Sequence, residues 1–393
     1  MKRSLFGRLF SIFLLFGAGC RTIDARLESA ASPKDCLQAT ADFYVKDAGD
    51  DACAVVLVTS EGASFATAGA CTTNSLFRIA SLSKLFLVSA LQNAAADGAV
   101  DLDATVGTFS SLGFPAEYAS ITLRELMENR AGLPRDFIDE SNPIDVGHVF
   151  AGGFFGWHIY AQFDSAADFL RCCHRPCWRR FVRKTRAITP RPVIYSNVGY
   201  GLLGLCLEEQ TGLSLEQFLK ENLVQPLGLK ETTYEPERAG LSSRTTPAKA
   251  GHLPWFVRRG HAVPDIRLGP PLRAAGGLFS SIADCARVFA DYWRIVDAEC
   301  AGVPVENLPD NALIGLLRVK ELATGAHVLY RAGMIYGGAS FVCFDPETRN
   351  IVIILRNVTS WPDKRGFKLV EALQRRQRGN RPEEHVEPRA DRH

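Results

Sequence analysis

Little in this sequence is one-sided. Its 45 lysines and arginines nearly cancel its 43 aspartates and glutamates, leaving a net charge of +2. No chain-wide field therefore recruits nucleic acid. The chain lacks an internal repeat and a low-complexity block, which excludes arrays and simple linkers. It also lacks zinc-type spacing. The cluster "CCHRPC", Cys172 to Cys177, invites a metal reading. Adjacent cysteines on one short segment are poor tetrahedral ligands, and no second Cys/His pair has matching spacing, so no metal site is expected. One basic run stands out, "RRFVRKTR" at 179–186. It reads as a solvated helix face or loop. The rest is an ordinary globular mixture, 47% hydrophobic and 22% charged over 393 residues. That length has room for one large domain, or two smaller ones sharing a core.

The leader is informative. Lys2, Arg3 and Arg8 precede the run "LFSIFLLFGAG". The run is short for a bilayer span and suits a signal-peptide core. It ends in "GAGC", which resembles the lipobox of bacterial lipoproteins with Cys20 as the lipidated residue, although Gly17 stands where leucine is usual. Ordinary cleavage and an uncleaved anchor are the alternatives. All three send the chain out of the cytoplasm, to the periplasm or to a membrane through an anchor at Cys20. Eleven cysteines fit an oxidising compartment without requiring one. Cys53 and Cys71 bound a hairpin that turns near Glu61-Gly62, so they are expected near each other across the ladder.

Helical periodicity marks "DCLQATADFYVKD", 83–98, "TLRELMEN", 197–212, the segment after Ser214 and 280–293. Ser214 with Gln217 reads as a capping box. Residues 140–190 look irregular. Near the C-terminus, "ASFVCFD" and "NIVIILRN" are β-rich runs, followed by a closing helix. Strands thus lie near both ends. The expected fold class is α+β: one antiparallel sheet built from both chain ends and flanked by helices, with an inserted, mainly helical region. In this division 1–20 is the leader, 33–378 the domain with its insertion at about 100–270, and 379–393 a charged, disordered tail.

Three short stretches carry chemistry. In "FRIASLSKLF", Ser81 and Lys84 are three apart, on one face of a helix start. A serine hydroxyl needs a neighbouring base, and an apolar setting lowers the pKa of a lysine. The bland alternative is a capped, buried helix. In "VIYSNVGYG", Tyr195 and Asn197 can face one cleft; beside a cation the tyrosine becomes a proton shuttle. The alternative is a packed tyrosine with Asn197 as N-cap. In "YRAGMIYGGASFVCF", Arg331-Ala332-Gly333 begins a small-residue strand that admits a substrate backbone. A main-chain N–H there would complete an oxyanion hole with that of Ser81, each donor worth about 2.7–4 kcal/mol. The alternative is an ordinary glycine-containing strand.

In this order, the three resemble the serine β-lactamase and penicillin-binding-protein superfamily, in its branch of class C β-lactamases, D-peptidases and esterases. "ITLRELMENRAGLPRD", "VQPLGLKETTY" and "AAGGLFSSIADCARV" look like recurring segments of that family. The resemblance implies an acyl-enzyme serine hydrolase that needs no metal or other cofactor. By it, Ser81 is the nucleophile, Lys84 its activating partner, Tyr195 the proton shuttle and Asn197 a contact to lysine and substrate. The N–H groups of Ser81 and Met334 form the oxyanion hole. Arg331, Ala332, Gly333 and Asn357 are carried over as substrate contacts.

The third motif departs from the family. Relatives begin it with lysine or histidine, followed by a hydroxyl residue; here stand Arg331 and Ala332. Arginine binds carboxylates through a planar fork but does not titrate. The leading expectation is hydrolysis of an amide or ester: a β-lactam, a D-amino-acid peptide from peptidoglycan, or a small ester. The alternative is a non-catalytic carboxylate- or peptidoglycan-binding lipoprotein on the same scaffold.

Overall fold

The computed structural model describes residues 23–46, 49–136, 165–251, 259–263, 268–308 and 315–379. The leader with Cys20, much of the 140–190 stretch, and the tail beyond residue 379 lie outside them.

Six antiparallel strands form the main sheet in the order β2-β1-β9-β8-β7-β6. β1 (Ala52–Thr59) and β2 (Gly62–Gly69) come from the first part of the chain. β6 (Arg318–Glu321), β7 (His327–Ile335), β8 (Gly338–Asp345) and β9 (Asn350–Arg356) come from the last. β1 pairs directly with β9, so both chain ends share one sheet, as the strand pattern predicted. Three further short strands, β3 (Phe77–Arg78), β4 (Thr232–Thr233) and β5 (Phe279–Ser280), make a second small sheet.

Alternation along β1 divides the core. Cys53, Val55 and Leu57 join a cluster with Phe43, Leu369 and Leu373. These last three lie on α2 (Pro33–Lys46) and α12 (Asp363–Gly379), which with α1 (23–29) cover that face. Ala54, Val56 and Val58 join the larger cluster on the opposite face. A period of two makes this division automatic. The larger cluster is centred on α3 (Ser83–Ala96), which buries ten of its fourteen residues and so carries almost no polar face.

Two expectations need correction, and a third, the nearness of Cys53 and Cys71, holds. The 140–190 stretch is not irregular throughout: α5 (Ala166–Cys173) and α6 (Pro176–Arg186) lie within it. Ser165 caps the first and Pro176 opens the second. Cys172 and Cys173 face the core, as do Trp178 and Val182. The arginines around them hid this spacing. The basic run is the outer face of α6, with Arg180, Arg183 and Lys184 exposed. Cys71 lies near Cys53, its Sγ 3.4 Å from that carbonyl, yet all ten described cysteines are free thiols. Cys53 packs on the α2 face and Cys71 on the other, so the thiols do not meet. Secondly, Ser214 caps α8 (Leu215–Leu219), but Gln217 reaches on to Glu221 instead of back to the cap.

The end of β9 is pinned by a buried ion pair. Arg356 and Asp50 are both fully buried and bonded twice, at 2.6 and 2.9 Å. The guanidinium also stacks 4.0 Å over Tyr44. Removing one partner strands a buried charge. Asp50→Ala is expected to cost about 3–5 kcal/mol in chemical denaturation. A loss below about 1 kcal/mol, typical of exposed pairs, would mean that water reaches Arg356.

Candidate active site

β3 leads directly into the nucleophile turn. Ala80 has φ +49°, a left-handed conformation that costs a non-glycine residue of order 1 kcal/mol. It is held from several sides. Ile79 N donates to Leu278 O, Ser340 Oγ donates to Ile79 O at 2.6 Å, and Ser83 Oγ donates to Ala80 O at 2.6 Å. The kink puts Ser81, partly exposed, at the start of α3. Ser83 is fully buried and also accepts from Leu278 N, which leaves it a packing role.

Lys84, one turn on, is fully buried. Its Nζ donates to Asn197 Oδ1 at 2.7 Å and to the carbonyl of Ala275. It lies 4.8 Å from the ring centroid of Tyr195 and 5.2 Å from that of Tyr200. Burial, above all, lowers its pKa; the neighbouring Tyr195 and Asp136 resist that fall, and Arg331 adds to it. Tyr195 Oη donates to Ser81 Oγ at 2.7 Å. Burial pushes the Tyr195 phenol up, but the charges of Lys84 and Arg331 outweigh it and bring the pKa down to about 8. Ser196 caps α7 (Asn197–Thr211) by accepting from Gly199 N, which leaves the Asn197 side chain for Lys84. Ser81, Lys84, Tyr195 and Asn197 therefore meet at one place.

β7 flanks this group. β6 pairs with it only as far as Tyr330, so among the described residues 331–335 have no strand on that side. A methyl group added at Gly333 would sit 2.8 Å from Ser81 N. Glycine alone lets the strand approach the nucleophile this closely. Met334 follows, paired with Ala339.

Of the other carried-over contacts, Arg331 lies beside this group, and Ala332 and Asn357 lie elsewhere. Arg331 is 91% buried, donates to Leu316 O at 3.1 Å, and stacks 4.1 Å over the Tyr195 ring. Its Nη1 is committed to that carbonyl and its plane to the tyrosine ring. Ala332 packs into the cluster on the α2 face, because alternate strand residues point to opposite sides. A hydroxyl there would face away from Ser81. Asn357 is fully buried and committed: its Oδ1 accepts from Ala52 N at 3.0 Å and its Nδ2 donates to Pro247 O at 2.9 Å. It joins the start of β1 to the end of β9.

The Beta-lactamase family profile matches residues 44–375. The chain belongs to the beta-lactamase family. Solved structures with this fold include the class C beta-lactamase of Rhodobacter sphaeroides (TM-score 0.57, 18% identity, 86% of this chain and 98% of that one). Another is the D-amino acid amidase of Ochrobactrum anthropi SV3 complexed with D-phenylalanine (TM-score 0.60, 21% identity, 87% and 99%). By sequence, the chain is similar to penicillin-binding protein 4* of Bacillus subtilis strain 168, 27% identical over 189 residues. That match covers 47% of this chain and 34% of the relative, so the chain spans about a third of that protein's length.

Sequence reasoning missed two partners of the central group. Ala275 enters through its backbone carbonyl, which no side-chain pattern marks. Asp136 accepts from Asn197 Nδ2 at 2.6 Å. Its signal was available, since it ends the family-like segment "RAGLPRD".

Proposed function

We propose that this protein hydrolyses amides or esters through an acyl-enzyme on Ser81. The observation that carries this reading is the 2.7 Å hydrogen bond between Tyr195 Oη and Ser81 Oγ, beside a buried lysine. Once ionised, Tyr195 accepts the Ser81 proton as Oγ attacks the substrate carbonyl. The charge on the resulting oxyanion falls between the N–H groups of Ser81 and Met334. Tyr195 then returns the proton to the leaving nitrogen or oxygen, and the C–N or C–O bond breaks. Water, deprotonated by the same phenolate, releases the acyl group and restores Ser81. Lys84 stays charged and holds the phenolate form in reach of neutral pH. No step calls on a metal.

A neighbouring cavity is our candidate for substrate space. This cavity, of about 430 Å³, is lined by Arg78, Arg273, Gly276, Leu278 and Ile335, among others. A Cβ on Gly276 would lie 3.5 Å from the Ala80 carbonyl carbon, so the cavity begins one residue from Ser81. Its mixed polar and apolar lining suits a peptide-like acyl group. We take D-amino-acid peptides or amides of the cell wall, or β-lactams, as the substrate class. The export signal expected from the sequence favours this choice over a cytoplasmic ester. The binding-only alternative drew on Arg331 as a carboxylate fork, and its stacking on Tyr195 weakens that motive.

The test is covalent labelling. Folded protein treated with a fluorescent penicillin and with a fluorophosphonate is expected to carry an adduct on Ser81 by peptide mass. No adduct with either probe would overturn the acyl-enzyme. Slow release of the penicillin adduct assigns a penicillin-binding or esterase role; rapid turnover assigns a β-lactamase.

A further inference from the structure

The segment ending in Asp136 is stitched along the tyrosine loop. Ile194 N donates to Asn129 O at 2.8 Å, and Ser196 N to Asn129 Oδ1 at 2.9 Å. Ser196 Oγ donates to Pro134 O at 2.6 Å, and Asn197 N to Arg135 O at 2.8 Å. The last stitch joins two side chains, Asn197 Nδ2 to Asp136 Oδ1 at 2.6 Å. The second Asp136 oxygen lies 3.3 Å from Arg135 Nε, whose guanidinium sits 5.7 Å over the Tyr195 ring.

This arrangement solves a chemical ambiguity. The two ends of an asparagine amide have nearly the same shape and opposite polarity. An amide turned the wrong way would aim N–H hydrogens at the Lys84 ammonium. The ammonium only donates and a carboxylate only accepts. Placed on opposite ends of Asn197, they leave one orientation in which both are satisfied. The second oxygen of Asp136 pairs with Arg135, which leaves Oδ1 for the Asn197 amide.

We propose that Asp136 is a positioning residue for the reaction: it fixes the Asn197 amide with Oδ1 toward Lys84, and so holds the ammonium beside Tyr195 and Ser81. This rests on the acyl-enzyme reading above. Asp136 acts through Asn197, so its effect must vanish when Asn197 is gone.

The experiment measures the second-order rate of Ser81 labelling by a fluorophosphonate in wild type, Asp136→Ala, Asp136→Asn, Asn197→Ala and the double variant Asp136→Ala/Asn197→Ala. Asp136→Ala is expected to lose roughly 10- to 100-fold, as small displacements of catalytic groups do, with a melting temperature near wild type. Asp136→Asn retains an oxygen for Asn197 Nδ2 and is expected to recover most of that rate. The groups that face Lys84 are Tyr195, Tyr200, Arg331, Asp136 and the Ala275 carbonyl. Of these only Asp136 changes charge in Asp136→Asn, so the alkaline limb, where Lys84 loses its proton, shifts to lower pH. A purely structural residue would not move that limb. The double variant is expected to be no slower than Asn197→Ala alone. Unchanged rates in Asp136→Ala, or losses that add in full in the double variant, would overturn the proposal. A separate readout does not depend on turnover: the Asn197 side-chain amide protons are expected to exchange faster with solvent in Asp136→Ala. If wild type fails to label at all, the acyl-enzyme reading falls; unchanged amide exchange would still count against Asp136 on its own.

Discussion

Lys84→Met is expected to slow acylation of Ser81 by roughly 10²–10⁴-fold at pH 7, the usual range for losing acid–base assistance. Methionine approximates the apolar stem of the lysine chain and removes its charge and its N–H donors. Lys84 is fully buried, and its ammonium is the main force pulling the Tyr195 phenol down to about 8. Without it, the upward push of burial prevails and the phenolate becomes scarce at neutral pH. The fold should survive. A buried charge is expensive to keep, so its removal relieves a desolvation cost. Against that, Asn197 Oδ1 and Ala275 O lose their donor, at roughly 1–3 kcal/mol each. Labelling rates across pH, with a thermal melt of each variant, check both halves. Raising the pH should partly rescue Lys84→Met, because Tyr195 can still ionise. A variant that labels like wild type at pH 7 would take Lys84 out of the chemistry.

The legible part of this site was the part fixed by local spacing. Ser81 and Lys84 share a helix face because they are three residues apart, and the apolar run around them announced burial. Tyr195 and Asn197 precede a helix whose glycine stop was also visible. The sheet followed from β-rich runs near both chain ends. What stayed hidden depended on which way a strand faces. Arg331, Ala332 and Gly333 form one motif in sequence, yet register sends Ala332 to the α2 side and Arg331 and Gly333 toward Ser81. Sequence alone also could not show that Asn357 is consumed by Ala52 N and Pro247 O, since those partners lie 305 and 110 residues away. The helices at 166–186 were obscured for a different reason: arginines interleave with the buried residues that define the period.

The pH profile carries the second large effect. In the proposed mechanism the reactive form has Tyr195 ionised, so labelling of Ser81 is expected to rise with pH through about 8 and level off above it. The plateau should end where Lys84, whose own pKa is lowered chiefly by burial, gives up its proton and its hold on the phenolate. The two groups are coupled, so the two limbs belong to the pair. Folding stability has a matching sign. The folded state releases the Tyr195 proton at about 8 and the unfolded chain near 10, so the unfolded state binds more protons between them and stability rises with pH across that window. It falls away as pH drops through 8. Arg331 makes the profile testable. Its guanidinium stacks 4.1 Å over the Tyr195 ring and, unlike a lysine, keeps its charge throughout the range. Arg331→Met is expected to move the rising limb to higher pH while leaving the plateau rate within about threefold, because Lys84 and Ser81 are untouched. Arg331→Lys should restore the limb to near its wild-type position until the new lysine itself loses its proton. A limb that stays at 8 in Arg331→Met, in protein whose melt confirms that it is folded, would mean that Lys84 alone sets the tyrosine. It would leave the arginine at this position with only its bond to Leu316 O.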